Sequence, residues 1–173
     1  MQVVIGMGTN LGDRENNLAR ALDALERLEG TQIVKLSNVY ETEPFDVISQ
    51  QDNYLNCCVL LETRLKPQRL LEHCLEIEKS LGRVRVEYHG ARTMDLDILL
   101  CEGFASDTPE LTVPHPHIRE RAFVMVPLSD LFPLHQAFGY DFHQAYADIP
   151  SIPAHPDRGP VQNRKFIHQF LRL

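Results

Sequence analysis

Two stretches of helical period divide the apolar strands of this chain into a fixed order, and that order restricts the fold more than any single motif. QVVIGM, residues 2–7, is a short β-branched strand. GTNLGD follows it as a tight loop. Asp13 can cap a helix from about 14 to 28, whose Leu18, Leu22, Leu25 and Leu28 keep one stripe. TQIVKLSNVY, residues 31–40, is a second strand, and the polar, Pro-containing loop ETEPFDVISQQDN leads to a third, YLNCCVLLET at 54–63. Pro67 opens a second helix with Leu70, Leu71, Cys74, Leu75, Glu78 and Leu81 on one stripe, and Gly82 closes it. RVRVEYHG is a charged loop or edge segment. ARTMDLDILL, residues 91–100, is then a fourth strand. The order β-α-β-β-α-β predicts a split βαβ sandwich: a four-stranded antiparallel sheet with two helices on one face.

The chain of 173 residues is expected to form a catalytic core over 1–133, with residues 134–173 as a C-terminal extension of mixed short elements packed on the same domain. LTVPHPHIRERAFVMVPLSDLFP, punctuated by proline, is expected to pack on that core. A net charge of −7 argues against nucleic acid or an anionic membrane as partner. The absence of a long apolar run argues against a membrane span, and MQVVIGMGTN has neither the basic segment nor the cleavage site of a secretory leader. Cys57, Cys58, Cys74 and Cys101 form no C-x-x-C pair, so free thiols in a reducing cytoplasm are the simplest reading.

The fourth strand carries the chemistry. Strict alternation puts Met94, Leu96, Ile98 and Leu100 on one face and Asp95, Asp97 and Leu99 on the other. Carboxylates at i and i+2 lie roughly 6.5–7 Å apart at Cα. They can share a site for hard cations, and Mg²⁺ favours a carboxylate or two plus substrate phosphates. An edge strand with a solvated face gives the same pattern. Arg83, Arg85, Arg92, Arg119 and Arg121 fall within 40 residues in a chain with 13 Arg and 4 Lys. Guanidinium forks suit phosphate oxygens, although arginines near carboxylates also form plain structural ion pairs. His115 stands between Pro114 and Pro116 with little backbone freedom. No H-x-x-H or H-E-x-x-H occurs, which argues against zinc. GMGTNLG lacks the G-K-[ST] ending of a phosphate loop. Tyr54 and Asn56 share one strand face, and with Phe123 they form what a flat, hydrogen-bonding heterocycle needs, although large aromatics more often fill cores.

GMGTNLGD, YETEPF, YLNCCVLLET, IEKSLGRVR, GARTMDLDILL and LTVPHPHIRERAFVMVPL occur in that order, and together they resemble the 6-hydroxymethyl-7,8-dihydropterin pyrophosphokinase family over residues 3 to 133. The resemblance implies an α+β, ferredoxin-like fold. It implies transfer of a diphosphoryl group from ATP to the hydroxymethyl oxygen of the pterin, with release of AMP, in folate biosynthesis. It implies that Asp95 and Asp97 ligate two Mg²⁺ ions and that Arg83 and Arg92 join them as the catalytic set. Glu78, Arg83, Arg85, Arg92, Ile98, Thr112, His115 and Arg121 match the ATP side. Tyr54 and Phe123 match rings that sandwich the pterin, Asn56 the amide that reads its pyrimidine edge, and Thr42, Glu43 and Phe45 the loop that meets it. The expected protein is a cytoplasmic monomer that takes ATP and a pterin.

Some positions depart from that pattern. His89 stands where a Trp is usual, Tyr88 and Glu110 where basic residues are common, and Leu75 where a polar residue occurs. These changes favour an alternative, a diverged relative that binds pterin or nucleotide without efficient transfer. A third reading is a structural domain whose Asp and Arg residues are only a surface network.

Overall fold

The computed structural model describes residues 1–44, 52–82 and 92–149. The elements run β1 (Gln2–Thr9), α1 (Arg14–Glu26), β2 (Thr31–Leu36), β3 (Tyr40–Thr42), β4 (Tyr54–Thr63), α2 (Pro67–Ser80) and β5 (Asp95–Cys101). Short pieces follow: β6 (Ser106–Asp107), β7 (Thr112–Val113), a 3-10 turn (Ile118–Glu120), α3 (Ala122–Leu131), β8 (Gln136–Ala137), β9 (Tyr140–Asp141) and α4 (His143–Ala147). The main sheet has the order β2-β4-β1-β5, all neighbours antiparallel, with β3 also paired to β4. Strands β1 and β2 are therefore parallel to each other and split by β4, as the α+β element order predicts.

Both helices expected from the sequence, α1 and α2, form where it places them. Asp13 accepts the Asn16 N–H at 3.1 Å and caps α1, and Pro67 occupies the first turn of α2. Their apolar stripes pack on one sheet face with Val3, Ile5, Met7, Leu96 and Ile98, except that Leu75, expected on the α2 stripe, is 46% exposed and Ile77 is buried instead. Strand β1 runs two residues beyond the expected stretch, through Gly8 and Thr9. Pairing on both sides, Gly8 with Asn56 and with Asp95, outweighs the low strand preference of glycine.

The opposite face is covered by α3. It is a short, strongly apolar helix that retains Pro127 inside, and it meets Val4, Cys58, Leu60, Leu99 and Leu100. Lys35 Nζ donates to the Asp130 and Leu131 carbonyls at 2.7 and 3.2 Å, covering the C-terminal end of this helix. Asp130 accepts the Asn38 N–H and the Tyr40 hydroxyl, both at 2.9 Å. From the late region, buried Ala137 and Phe142 join the same cluster. All four cysteines are free and buried. Among the described residues, no helix is long and apolar enough to cross a membrane.

Two expectations need correction. Residues 31–40 are not one strand. Ser37 donates its N–H to the Cys58 carbonyl at 2.9 Å, while its hydroxyl accepts the Cys58 N–H at 2.8 Å. A side chain thus takes over one rung, the ladder breaks, and the chain rejoins β4 one residue out of step at Tyr40 and Asn56. Nor does the alternation on β5 persist to Leu100. A bulge opposite Val4 and Ile5 turns both Leu99 and Leu100 toward α3 and returns Cys101 to the α1–α2 side.

Ser37→Ala should lower unfolding stability by about 1–3 kcal/mol, because the buried Cys58 N–H loses its acceptor. Urea denaturation measures this, and an unchanged midpoint would show that the rung is dispensable.

Candidate active site

α3 covers only part of its sheet face. The remainder is a cavity of about 350 Å³, floored by β1, β4 and β5 and walled by the segment that leads into α3. Two glycines keep the floor low. A Cβ on Gly8 would stand 2.9 Å from Asn56 Oδ1, and one on Gly6 would press on Leu99 at 3.1 Å.

The register decides what meets on this floor. Gly8 pairs with Asn56 on one side and Asp95 on the other, and Gly6 pairs with Asp97. Tyr54, Asn56, Asp95 and Asp97 consequently all reach one cavity, together with Thr42, Glu43, Arg92, Arg121 and Phe123. Asn56 is 7% exposed, and its Nδ2 donates to Thr42 Oγ1 at 2.6 Å, which leaves Oδ1 over Gly8. The Arg121 guanidinium lies 5.8 Å from the centre of the Phe123 ring.

The carboxylates are unlike. Asp95 pairs with the Arg92 guanidinium, three residues before it. Burial, then the neighbouring Asp95 and Glu78 charges, push the Asp97 carboxyl up to about 7, against the pull of Arg121 and Arg92. Near pH 7 the Asp97 carboxyl is thus partly protonated. Burial raises the Tyr54 phenol as well, with Arg92 opposing.

Several residues expected on the ATP side lie outside the cavity lining. Glu78 is 3% exposed, and its Oε1 accepts the Leu96 N–H at 2.7 Å, joining α2 to β5. The Ile98 side chain lies in the core toward α1 and α2. Thr112 donates its hydroxyl to the Thr108 carbonyl at 3.1 Å. His115 donates its N–H to the carbonyl of the bulge residue Leu99 at 2.9 Å. Its Nδ1 accepts the His117 N–H at 3.2 Å, so its ring proton is on Nε2. Burial first, then Arg121, lowers this imidazole to about 4, so it is neutral at pH 7. Arg83, Arg85 and Phe45 lie outside the described residues, as do Tyr88 and His89.

Sequence reasoning missed His117 and Glu120, which line the cavity and pair with each other at 2.7 Å. Their i,i+3 spacing was the available signal. The floor glycines were also missed, since a glycine in a strand reads as a weak spot until its neighbours are known. Among the described residues, no group of three or more His, Cys, Asp or Glu is placed to hold a metal by protein ligands alone.

A model of the 7,8-dihydro-6-hydroxymethylpterin-pyrophosphokinase family matches residues 4–133. A Methylorubrum extorquens 2-amino-4-hydroxy-6-hydroxymethyldihydropteridine pyrophosphokinase is 43% identical over 129 residues, covering 75% of this chain and 81% of that protein. The Bacillus subtilis protein of the same name is 42% identical over 127 residues, covering 73% and 75%. Among solved structures, an HPPK-DHPS in complex with substrates superposes at TM-score 0.62 with 14% identity, over 84% of this chain and 42% of that one. The wild-type Plasmodium falciparum HPPK-DHPS gives TM-score 0.62 at 15% identity, over 94% and 47%. This chain therefore spans less than half of either solved chain, and those likenesses concern the fold alone.

The sign of the Asp97 shift gives a test. A carboxyl whose pKa rises on folding contributes stability below its unfolded value, near 3.8, and loses it as pH climbs through about 7. Asp97→Asn mimics the protonated form. Its gain in melting temperature over the parent, without divalent cations, should therefore widen between pH 4 and pH 8. A gap that stays constant with pH would contradict the buried, proton-holding carboxyl.

Proposed function

The chain belongs to the 7,8-dihydro-6-hydroxymethylpterin-pyrophosphokinase family, and on that footing we propose that it moves a diphosphoryl group from ATP to the hydroxymethyl oxygen of 6-hydroxymethyl-7,8-dihydropterin, releasing AMP. One observation carries this reading: the carboxylate pair and the ring-and-amide set share one cavity on either side of Gly8.

The donor set fits magnesium. The Asp95 and Asp97 carboxylates are oxygen donors, too few to close a cage without substrate phosphates, and Asp97 is an acid whose proton a divalent cation would displace. Asp95 and Asp97 would hold two such ions, which supply charge neutralisation to the transferring phosphates when bound.

The chain's own residues do the rest. Tyr54 and Phe123 stack on the two faces of the pterin, and Asn56 Oδ1 accepts from its amino edge, fixed in aim by Thr42. Thr42 and Glu43 border the same end. Arg92 and Arg121 face the phosphates, where two donor forks offset charge and orient the β-phosphorus. Arg83, Arg85, Glu78, Ile98, Thr112 and His115 complete the nucleotide side in this proposal. A neutral His115 offers Nε2–H as a donor to phosphate or ribose. In the reaction the pterin hydroxymethyl oxygen bonds to the β-phosphorus and gives up its proton to solvent, the bond from that phosphorus to the oxygen it shares with the α-phosphorus breaks, and AMP leaves with that oxygen.

The decisive assay supplies ATP, Mg²⁺ and the pterin alcohol and separates AMP from ADP. Pterin-dependent AMP is expected; pterin binding without AMP would point instead to a diverged relative. Asp95→Ala and Asp97→Ala should each cut turnover by about a hundredfold or more while leaving the circular dichroism spectrum unchanged, since several kcal/mol of transition-state stabilisation disappear. Full activity in either variant would sink the metal assignment. Arg92→Ala should slow transfer and spare pterin affinity in a fluorescence titration; a loss of affinity alone would contradict a phosphate role.

A further inference from the structure

Asn10 immediately follows β1, is 2% exposed, and is absent from the cavity lining. Its N–H donates to the Arg92 carbonyl at 3.0 Å, and its Oδ1 accepts the Arg92 N–H at 2.8 Å. These two bonds copy a rung of an antiparallel ladder, with a side-chain carbonyl replacing a main-chain one. Asn10 Nδ2 donates to the Asp52 carbonyl at 3.2 Å. The amide cannot be turned over, because its NH₂ would then face the Arg92 N–H and its oxygen the Asp52 carbonyl.

Its neighbours reinforce both ties. Thr9 Oγ1 donates to the Thr93 carbonyl at 2.7 Å. Arg14, the first residue of α1, donates to the Asn53 carbonyl at 2.7 Å and pairs with Glu41 at 2.9 Å. The turn after β1 therefore grips residues 92–93 on one side and 52–53 on the other. Arg92 carries the guanidinium that pairs with Asp95, while residues 52–53 lead directly into Tyr54 and Asn56.

We propose that Asn10 is a positioning residue, which fixes the backbone of Arg92, and so the aim of its guanidinium at Asp95, in register with the start of β4. The inference rests on the phosphate role of Arg92 and the pterin role of Tyr54 and Asn56 proposed above. Asparagine serves both ties at once. Alanine removes acceptor and donor together, and aspartate keeps an acceptor for Arg92 but sets an oxygen against the Asp52 carbonyl.

A double-mutant cycle on the full chain, with steady-state kinetics in ATP, Mg²⁺ and pterin, tests this. Asn10→Ala should reduce kcat by about 10- to 100-fold, the range seen when a supporting residue behind a metal ligand is removed. In the Arg92→Ala background the same substitution should change kcat by less than about twofold, since the group it aims is gone. Asn10→Asp should keep kcat within a few-fold of the parent and raise KM for the pterin. An unchanged kcat in Asn10→Ala, or an equal fractional loss in both backgrounds, overturns the proposal. If Asn10→Ala is unfolded at the assay temperature, Asn10→Asp decides: preserved kcat with raised pterin KM supports positioning, and lost kcat with unchanged KM overturns it. Full kcat in Arg92→Ala alone would remove the phosphate role of that arginine and this inference with it, a failure separable from one confined to Asn10.

Discussion

Everything at the site depends on β1 being paired along both edges at Gly8. One rung runs from Asn56 through Gly8 to Asp95, so the amide and the carboxylate sit two strand spacings apart, roughly 10 Å at Cα. That span suits a flat ring at one end and a phosphate at the other. The glycine leaves space for Asn56 Oδ1, and the flanking strands supply the side chains. Any larger residue at position 8 would push the amide off its bond to Thr42.

The electrostatics follow from what covers the sheet. The helices on the far face seal it from water, and Glu78 reaches β5 from that side. Asp97 is therefore left in poor solvation beside two other carboxylates, and Asp95 is compensated by Arg92. The result is an unequal pair: one carboxylate paired with a guanidinium and one whose pKa burial and its neighbours raise to about 7.

Much of this was legible in the chain. Period-2 and helical stripes gave the order of the elements, and the i,i+2 spacings of Tyr54–Asn56 and Asp95–Asp97 placed each pair on one face. Asp13 and Pro67 marked the helix starts. What escaped had a common cause. The Ser37 rung, the Leu99 bulge and the Asn10 clamp each depend on a partner 20 or more residues away. No local pattern distinguishes a serine or asparagine that replaces a backbone group from one in an ordinary turn. His117 escaped because its value comes from the wall it occupies, and a rigid turn with an incidental histidine reads the same.

The sequence by itself determined the order of the first strands and two helices and the acidic and aromatic pairs, because alternation and helical period act over a few residues, and six motifs in register carried the resemblance to the family. The tertiary structure alone decided that Asn56 and Asp95 flank the same glycine and that burial raises the Asp97 carboxyl to about 7. It also decided that α3 stops short enough to leave a cavity. Those outcomes depend on strand register and on burial, which are sums over distant parts of the chain and exist only once it has folded.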